Sequence, residues 1–113
     1  MPDDTSSPLR IEIDQAGDVL RIAPHGDVDL STSPALRKTL QSHLSTGDGQ
    51  VVIDLAGVPY MDSSGVATLV EALQTCKHQQ RELVLARPND RVASIFKISR
   101  LDSVFTILND LEG

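Results

Sequence analysis

Apolar and polar residues alternate from the first ordered-looking stretch of the chain. Leu9, Ile11 and Ile13 are set against Arg10, Glu12 and Asp14, the period-2 pattern of a half-buried strand. A turn at Gln15-Ala16-Gly17-Asp18 then sends a second strand, Val19 to Pro24, back along the first as a hairpin. The pattern next changes to a four-residue spacing, Leu36, Leu40 and Leu44, on a helix that opens at Ser31-Thr32-Ser33-Pro34. There Thr32 or Ser33 can cap, and proline suits the first helical position. Gly47-Asp48-Gly49 closes it. Val51-Val52-Ile53-Asp54-Leu55 is almost continuously apolar, as in a strand covered on both faces.

After a loop over 56–62, the residues Val66, Leu69, Val70, Leu73 and Cys76 share one helical face. Leu83-Val84-Leu85-Ala86 reads as a further short strand. Arg87-Pro88-Asn89-Asp90 supplies a break and a cap for a helix carrying Val92, Ile95 and Phe96. Val104 and Phe105 suggest a short edge strand, with a last helix bearing Ile107, Leu108 and Leu111. The order is β-β-α-β-α-β-α-(β)-α. It predicts an α/β fold: one domain over 9–113, a mixed sheet of four to five strands with about four helices, an opening hairpin and parallel crossovers. Residues 1–8, rich in Asp, Ser, Thr and Pro, read as a flexible leader.

Composition narrows the function. The chain's 113 residues fit one domain that buries roughly two thirds of its unfolded surface. Aromatic residues make up only 3%, so aliphatic side chains must fill the core. The net charge of -6 argues against a nucleic-acid footprint, which concentrates Lys and Arg. The lone Cys76 excludes an internal disulfide, and one Cys with three scattered His gives no zinc spacing. No apolar run approaches the roughly 18 residues of a membrane helix. The expectation is a cytoplasmic protein with neither membrane insertion nor a bound metal or cofactor.

The chemistry concentrates in Met61-Asp62-Ser63-Ser64-Gly65, where a buried strand gives way to an amphipathic helix. The first helical turn has unpaired N–H groups and the positive end of the macrodipole, so an anion such as phosphate is stabilised there. A serine at that place can be a chemical switch or an ordinary cap. Ser64 is the better cap of the two, leaving Ser63 free. Gly65 removes a side chain that would obstruct an approaching partner backbone. Asp62 is either an orienting group beside Ser63 or a helix-terminal acid. Asp29 is either part of the same surface or a turn residue.

Taken with Gly26-Asp27-Val28-Asp29-Leu30-Ser31-Thr32 and the tail from Val92 to Phe105, the strand and its Asp-Ser-Ser-Gly segment give the chain a family. It resembles the STAS-domain anti-sigma factor antagonists. The tail departs from the family pattern, with Ser99-Arg100 where many members have a Gly before the Leu. The resemblance implies a protein that is itself no enzyme, with no catalytic residue of its own. It implies that Ser63 is phosphorylated by an ATP-binding anti-sigma factor serine kinase, that phosphorylation releases this partner, and that a metal-dependent phosphatase reverses it. Asp29, Asp62, Ser63, Ser64 and Gly65 would form the partner-binding surface.

Two other readings compete. A STAS accessory subunit of a lipid-transport or other ATPase complex would use the same loop as a permanent contact. A small serine hydrolase would use Ser63 as nucleophile, since Ser63 and Gly65 match part of the Gly-x-Ser-x-Gly elbow. Against the hydrolase, Met61 occupies the first Gly position and His78 lies about 22 Å along the same helix. His25, at the end of the second strand, could come closer, but a lone His between strand and loop is usually structural or solvated.

Overall fold

The computed structural model describes residues 9–109. Strand β1 (Arg10–Ala16) and β2 (Val19–His25) form the expected hairpin, with Ala16 paired to Val19 across a two-residue turn. Gly17, at φ +62°, adopts the left-handed conformation this tight reversal requires. Helix α1 (Ser33–Leu44), strand β3 (Gln50–Asp54), helix α2 (Ser63–His78), strand β4 (Leu83–Ala86), helix α3 (Asp90–Ile98) and strand β5 (Thr106–Leu108) follow.

The five strands lie in chain order, β1-β2-β3-β4-β5, and all pairings after the hairpin are parallel. Each parallel step moves one strand in the same direction. Right-handed crossovers therefore place α1, α2 and α3 on one face of the sheet. Parallel register aligns Leu20, Val51 and Leu83, and then Ile22, Ile53 and Leu85, in two rows under these helices. All six are buried, and they join Leu36, Leu40, Leu44, Leu69, Leu73, Val92 and Phe96 in one core. Burying side chains of this kind stabilises the fold by about 1.5–3 kcal/mol each before the entropy of ordering is counted.

Two expectations need correcting. Val104 and Phe105 are not a strand; they lie in the turn after α3, where Phe105 is buried edge-to-face on Phe96 at 5.4 Å. The edge strand is Thr106–Leu108, so Ile107 and Leu108 belong to β5 and not to a fourth helix. Three helices are present among the described residues, and Leu111 and the 1–8 leader lie outside them.

Candidate functional site

The segments that leave β2 and β3, 26–32 and 55–62, emerge side by side at the carboxyl end of the parallel strands, the edge where α/β sheets place their ligands. They are zipped by main-chain bonds. Gly26 N donates to Gly57 O at 2.9 Å, Val28 N to Tyr60 O at 2.9 Å, and Asp62 N to Val28 O at 3.1 Å, making a one-residue parallel bridge between Val28 and Met61. The third loop of this edge is tied in by Asn89. Its amide donates to Val58 O and Pro59 O, while its Oδ1 accepts from Val92 N and caps α3.

The bridge explains Gly65. This residue is buried, and a Cβ there would stand 2.6 Å from Met61 Cγ and 2.8 Å from Val28 Cγ1. Its missing side chain lets the first turn of α2 seat on the bridge, so the space it opens lies inside the molecule rather than towards an approaching partner.

The division of labour among the polar residues also differs from expectation. The N-cap of α2 is Asp62, not Ser64. Asp62 Oδ1 accepts from Ser64 N at 2.9 Å and from Gly65 N at 3.4 Å, satisfying two of the four orphan donors of the helix start. The Ser64 hydroxyl donates to the same oxygen at 2.5 Å. Ser63, the first helical residue, is exposed, and among the described residues no hydrogen bond occupies its hydroxyl. Of the two serines, Ser64 is spent locally and Ser63 is presented to solvent.

Asp29 folds its own loop. Its Oδ1 accepts from Ser31 N at 2.9 Å, Ser31 Oγ at 2.7 Å and Thr32 N at 3.2 Å. The Ser31 hydroxyl foremost, with these amides, holds the carboxyl below its ordinary value of 3.8 against a smaller opposing desolvation. Thr32 occupies the N-cap position of α1 without capping through its side chain. Its hydroxyl accepts from Asp29 N at 2.9 Å and donates to Asp27 O at 2.8 Å. The zipped main chain thus brings the Asp29 loop and the Asp62-Ser63 loop to one edge.

The residues a hydrolase would need are not assembled there. The His25 ring lies against Gly57, and its Nε2 pairs with Glu12 at 3.1 Å. His78 is the last residue of α2, at the far end of the helix that Ser63 begins. Among the described residues no cluster of His, Cys, Asp or Glu is disposed to hold a metal, and no helix is long and apolar enough to cross a membrane.

Sequence patterns missed one anchor of this edge. Asp54, the last residue of β3, is 1% exposed on the sheet face away from the helices. Arg21 from β2 donates to it at 2.8 Å, Arg87 from the end of β4 donates to both its oxygens, and its Oδ1 accepts from Ala56 N at 3.1 Å where the loop begins. Burial pushes this carboxyl up, but Arg87, the Ala56 amide and Arg21 together outweigh it and leave it below 3.8. An acid ending an apolar strand was the available signal.

Known proteins share this fold. The profile of the STAS domain family matches residues 10–113. The anti-sigma-B factor antagonist of Listeria monocytogenes is 35% identical over 107 residues, covering 93% of this chain and 92% of that one. The crystal structure of an anti-sigma factor antagonist from Mycobacterium paratuberculosis superposes with a TM-score of 0.80 at 21% identity, over 95% of this chain and 92% of the other. The Bacillus cell fate determinant SpoIIAA, in its phosphorylated form, gives 0.67 at 16% identity, over 87% and 90%. With the family profile spanning residues 10–113 and this degree of identity over nearly the whole length, the chain belongs to the STAS-domain family of anti-sigma factor antagonists.

Proposed function

We propose that this protein binds an anti-sigma factor through the edge formed by residues 26–32 and 55–65, and that phosphorylation of Ser63 by that partner, acting as an ATP-dependent serine kinase, releases it. The observation that carries the reading is the free, exposed Ser63 hydroxyl at the head of α2, next to a Ser64 hydroxyl already bonded to Asp62. In phosphoryl transfer the kinase brings nucleotide, metal and base, and the substrate needs only a reachable hydroxyl in a fixed place. The relative from Listeria is named an antagonist of anti-sigma-B factor, and SpoIIAA has been solved carrying phosphate.

A phosphate adds about -1.5 to -2 charges. Placed beside the Asp62 carboxylate and facing a surface matched to a neutral hydroxyl, it must be desolvated or displaced, and both weaken binding. A loss of about 2.8 kcal/mol is already hundredfold. The helix macrodipole returns only roughly 0.3–1 kcal/mol, and does so in the free protein, which favours persistence of the phosphate without restoring the complex. A metal-dependent phosphatase would complete the cycle.

Incubation with the cognate anti-sigma factor and ATP should add one phosphate, mapped by mass spectrometry to Ser63 and absent from Ser63→Ala. Ser63→Asp should bind the partner about 100-fold more weakly than Ser63→Ala, both variants keeping the wild-type thermal midpoint. Phosphate on Ser64 instead, or equal binding by the two variants, overturns the reading.

A further inference from the structure

Most large hydrophobic side chains of this domain are inside. Among the described residues four stand exposed: Leu30 at 78%, Tyr60 at 40%, Ile98 at 80% and Val104 at 46%. An exposed leucine is unremarkable by itself. The position of Leu30 is what distinguishes it. Val28 and Met61 are bridge partners, and Leu30 and Ser63 each stand two residues beyond the bridged residue of their own segment, so the zipper delivers them to the same edge. Tyr60, whose carbonyl accepts from Val28 N, belongs to the same zipped pair of strands.

Leu30 is also held still. The residues on either side of it are tied down: Asp29 N donates to Thr32 Oγ1, Ser31 N donates to Asp29 Oδ1, and Thr32 Oγ1 donates to Asp27 O. A loop whose main chain is already fixed by three such bonds loses little further backbone freedom on binding, which is the property of a preorganised anchor. Its surroundings specify the partner's chemistry. The chain has no Lys or Arg between Arg21 and Arg37, nor between Lys38 and Lys77, while these two segments contribute Asp27, Asp29 and Asp62 to the loops. The complementary surface is an apolar pocket rimmed by basic side chains.

We infer that Leu30 is the hydrophobic anchor of the complex, seated in an apolar, basic-rimmed pocket of the anti-sigma factor beside the place where that protein holds ATP. This rests on the proposed function above. The anchor supplies affinity in the unphosphorylated complex, and the Ser63 phosphate removes the complex because it must be desolvated where a neutral hydroxyl fitted, close to Asp62 and to the phosphates of the partner's own nucleotide, while Leu30 is unchanged.

The test measures affinity of full-length variants for the purified cognate anti-sigma factor with bound ADP, by calorimetry or biolayer interferometry. Leu30→Ala and Leu30→Asp should weaken binding by about tenfold and by at least about a hundredfold respectively, while Leu30→Met should retain binding within about threefold. Thermal midpoints should be unchanged in all three, because the side chain contributes no core contact. Wild-type affinity in Leu30→Asp overturns the anchor. If that occurs while Ser63→Asp still releases the partner, the phosphorylation reading stands and only the anchor falls. If Ser63→Asp and Ser63→Ala bind alike, the reading beneath it falls instead. Loss of binding accompanied by a lowered midpoint in all three Leu30 variants would assign Leu30 a folding role and also overturn the inference.

Discussion

At the residue scale, the site depends on which of several small side chains is committed to folding. Asp62 caps, Ser64 leans on Asp62, Gly65 makes room, and Ser63 is left over. Gly65 gives a test in which two effects oppose each other. Alanine in place of glycine within a helix ordinarily gains about 1 kcal/mol through backbone entropy. Here the added methyl meets Met61 and Val28, both buried and both part of the bridge, and forcing a carbon into a filled core costs about 1–3 kcal/mol. Overpacking should win because neither neighbour is the free end of a surface chain. Gly65→Ala is expected to be less stable by about 1–2 kcal/mol in urea denaturation and, under the proposed function, to be phosphorylated more slowly because the first turn of α2 must shift. A variant more stable than wild type would mean that Met61 repacks and that the bridge is softer than its geometry indicates.

At the scale of elements, the loop edge is pinned by one buried acid. Asp54 joins β2, β3 and the exit of β4 through Arg21 and Arg87, and Arg21 reaches on to Asp14 in β1. Removing the acid takes the carboxylate from Arg87 and leaves Arg21 with Asp14 alone. Asp54→Ala should destabilise by about 3 kcal/mol, at the lower end for buried ion pairs because both arginines keep partial access to water. The carboxyl is held below its ordinary value in the folded state, so the unfolded chain binds the proton more readily. The contribution of Asp54 is therefore complete above about pH 4–5 and is lost as pH falls through the lowered folded value. Thermal midpoints of the wild type should fall steeply on acidification below about pH 4, and those of Asp54→Asn should start lower at pH 7 and fall less. Parallel slopes would show that other carboxylates dominate the acid transition. The sequence supplied this acid but not its partners, each of which lies 33 residues away. The same distinction runs through the fold. Local periodicity gave the hairpin, the helix beginning at Ser63–Ser64 and β4, because alternation and the three-to-four spacing are written in neighbouring residues. It misplaced β5, since Phe105 has strand-like character but is drawn under Phe96 by long-range packing. It put Ser63, Asp62 and Asp29 in connecting segments that the structure brings to one edge, yet could not assign the cap to Asp62. Ser and Asp are equally good caps, and the choice follows from the Asp62 N–H being taken by Val28 of another loop. Nor could it single out Leu30, whose exposure is a property of the folded edge.

At the scale of the whole molecule, charge is distributed so that the proposed binding edge is drawn from segments without a cation. The chain carries 16 acidic and 10 basic residues, and the long interval from Lys38 to Lys77, which includes Asp62 and Ser63, holds none of the basic ones in its interior. A net charge of -6 on so small a body sets up a field that extends beyond contact distance and accelerates the approach of an oppositely charged partner. Steering acts on encounter, whereas the proposed leucine anchor and hydroxyl would act on the formed complex, so salt should separate them. Raising NaCl from about 50 to 500 mM shrinks the Debye length from about 14 Å to about 4 Å, and the association rate constant should fall by about three- to tenfold while the dissociation rate changes less. Asp27→Asn should lower the association rate at low salt and lose that effect at high salt, because Asp27 is exposed and contributes its side-chain charge to the edge without holding the loop. Stopped-flow or interferometry traces at several salt concentrations read both constants at once. An association rate indifferent to salt, with all the change in dissociation, would place these charges inside the formed contact and remove steering from the account.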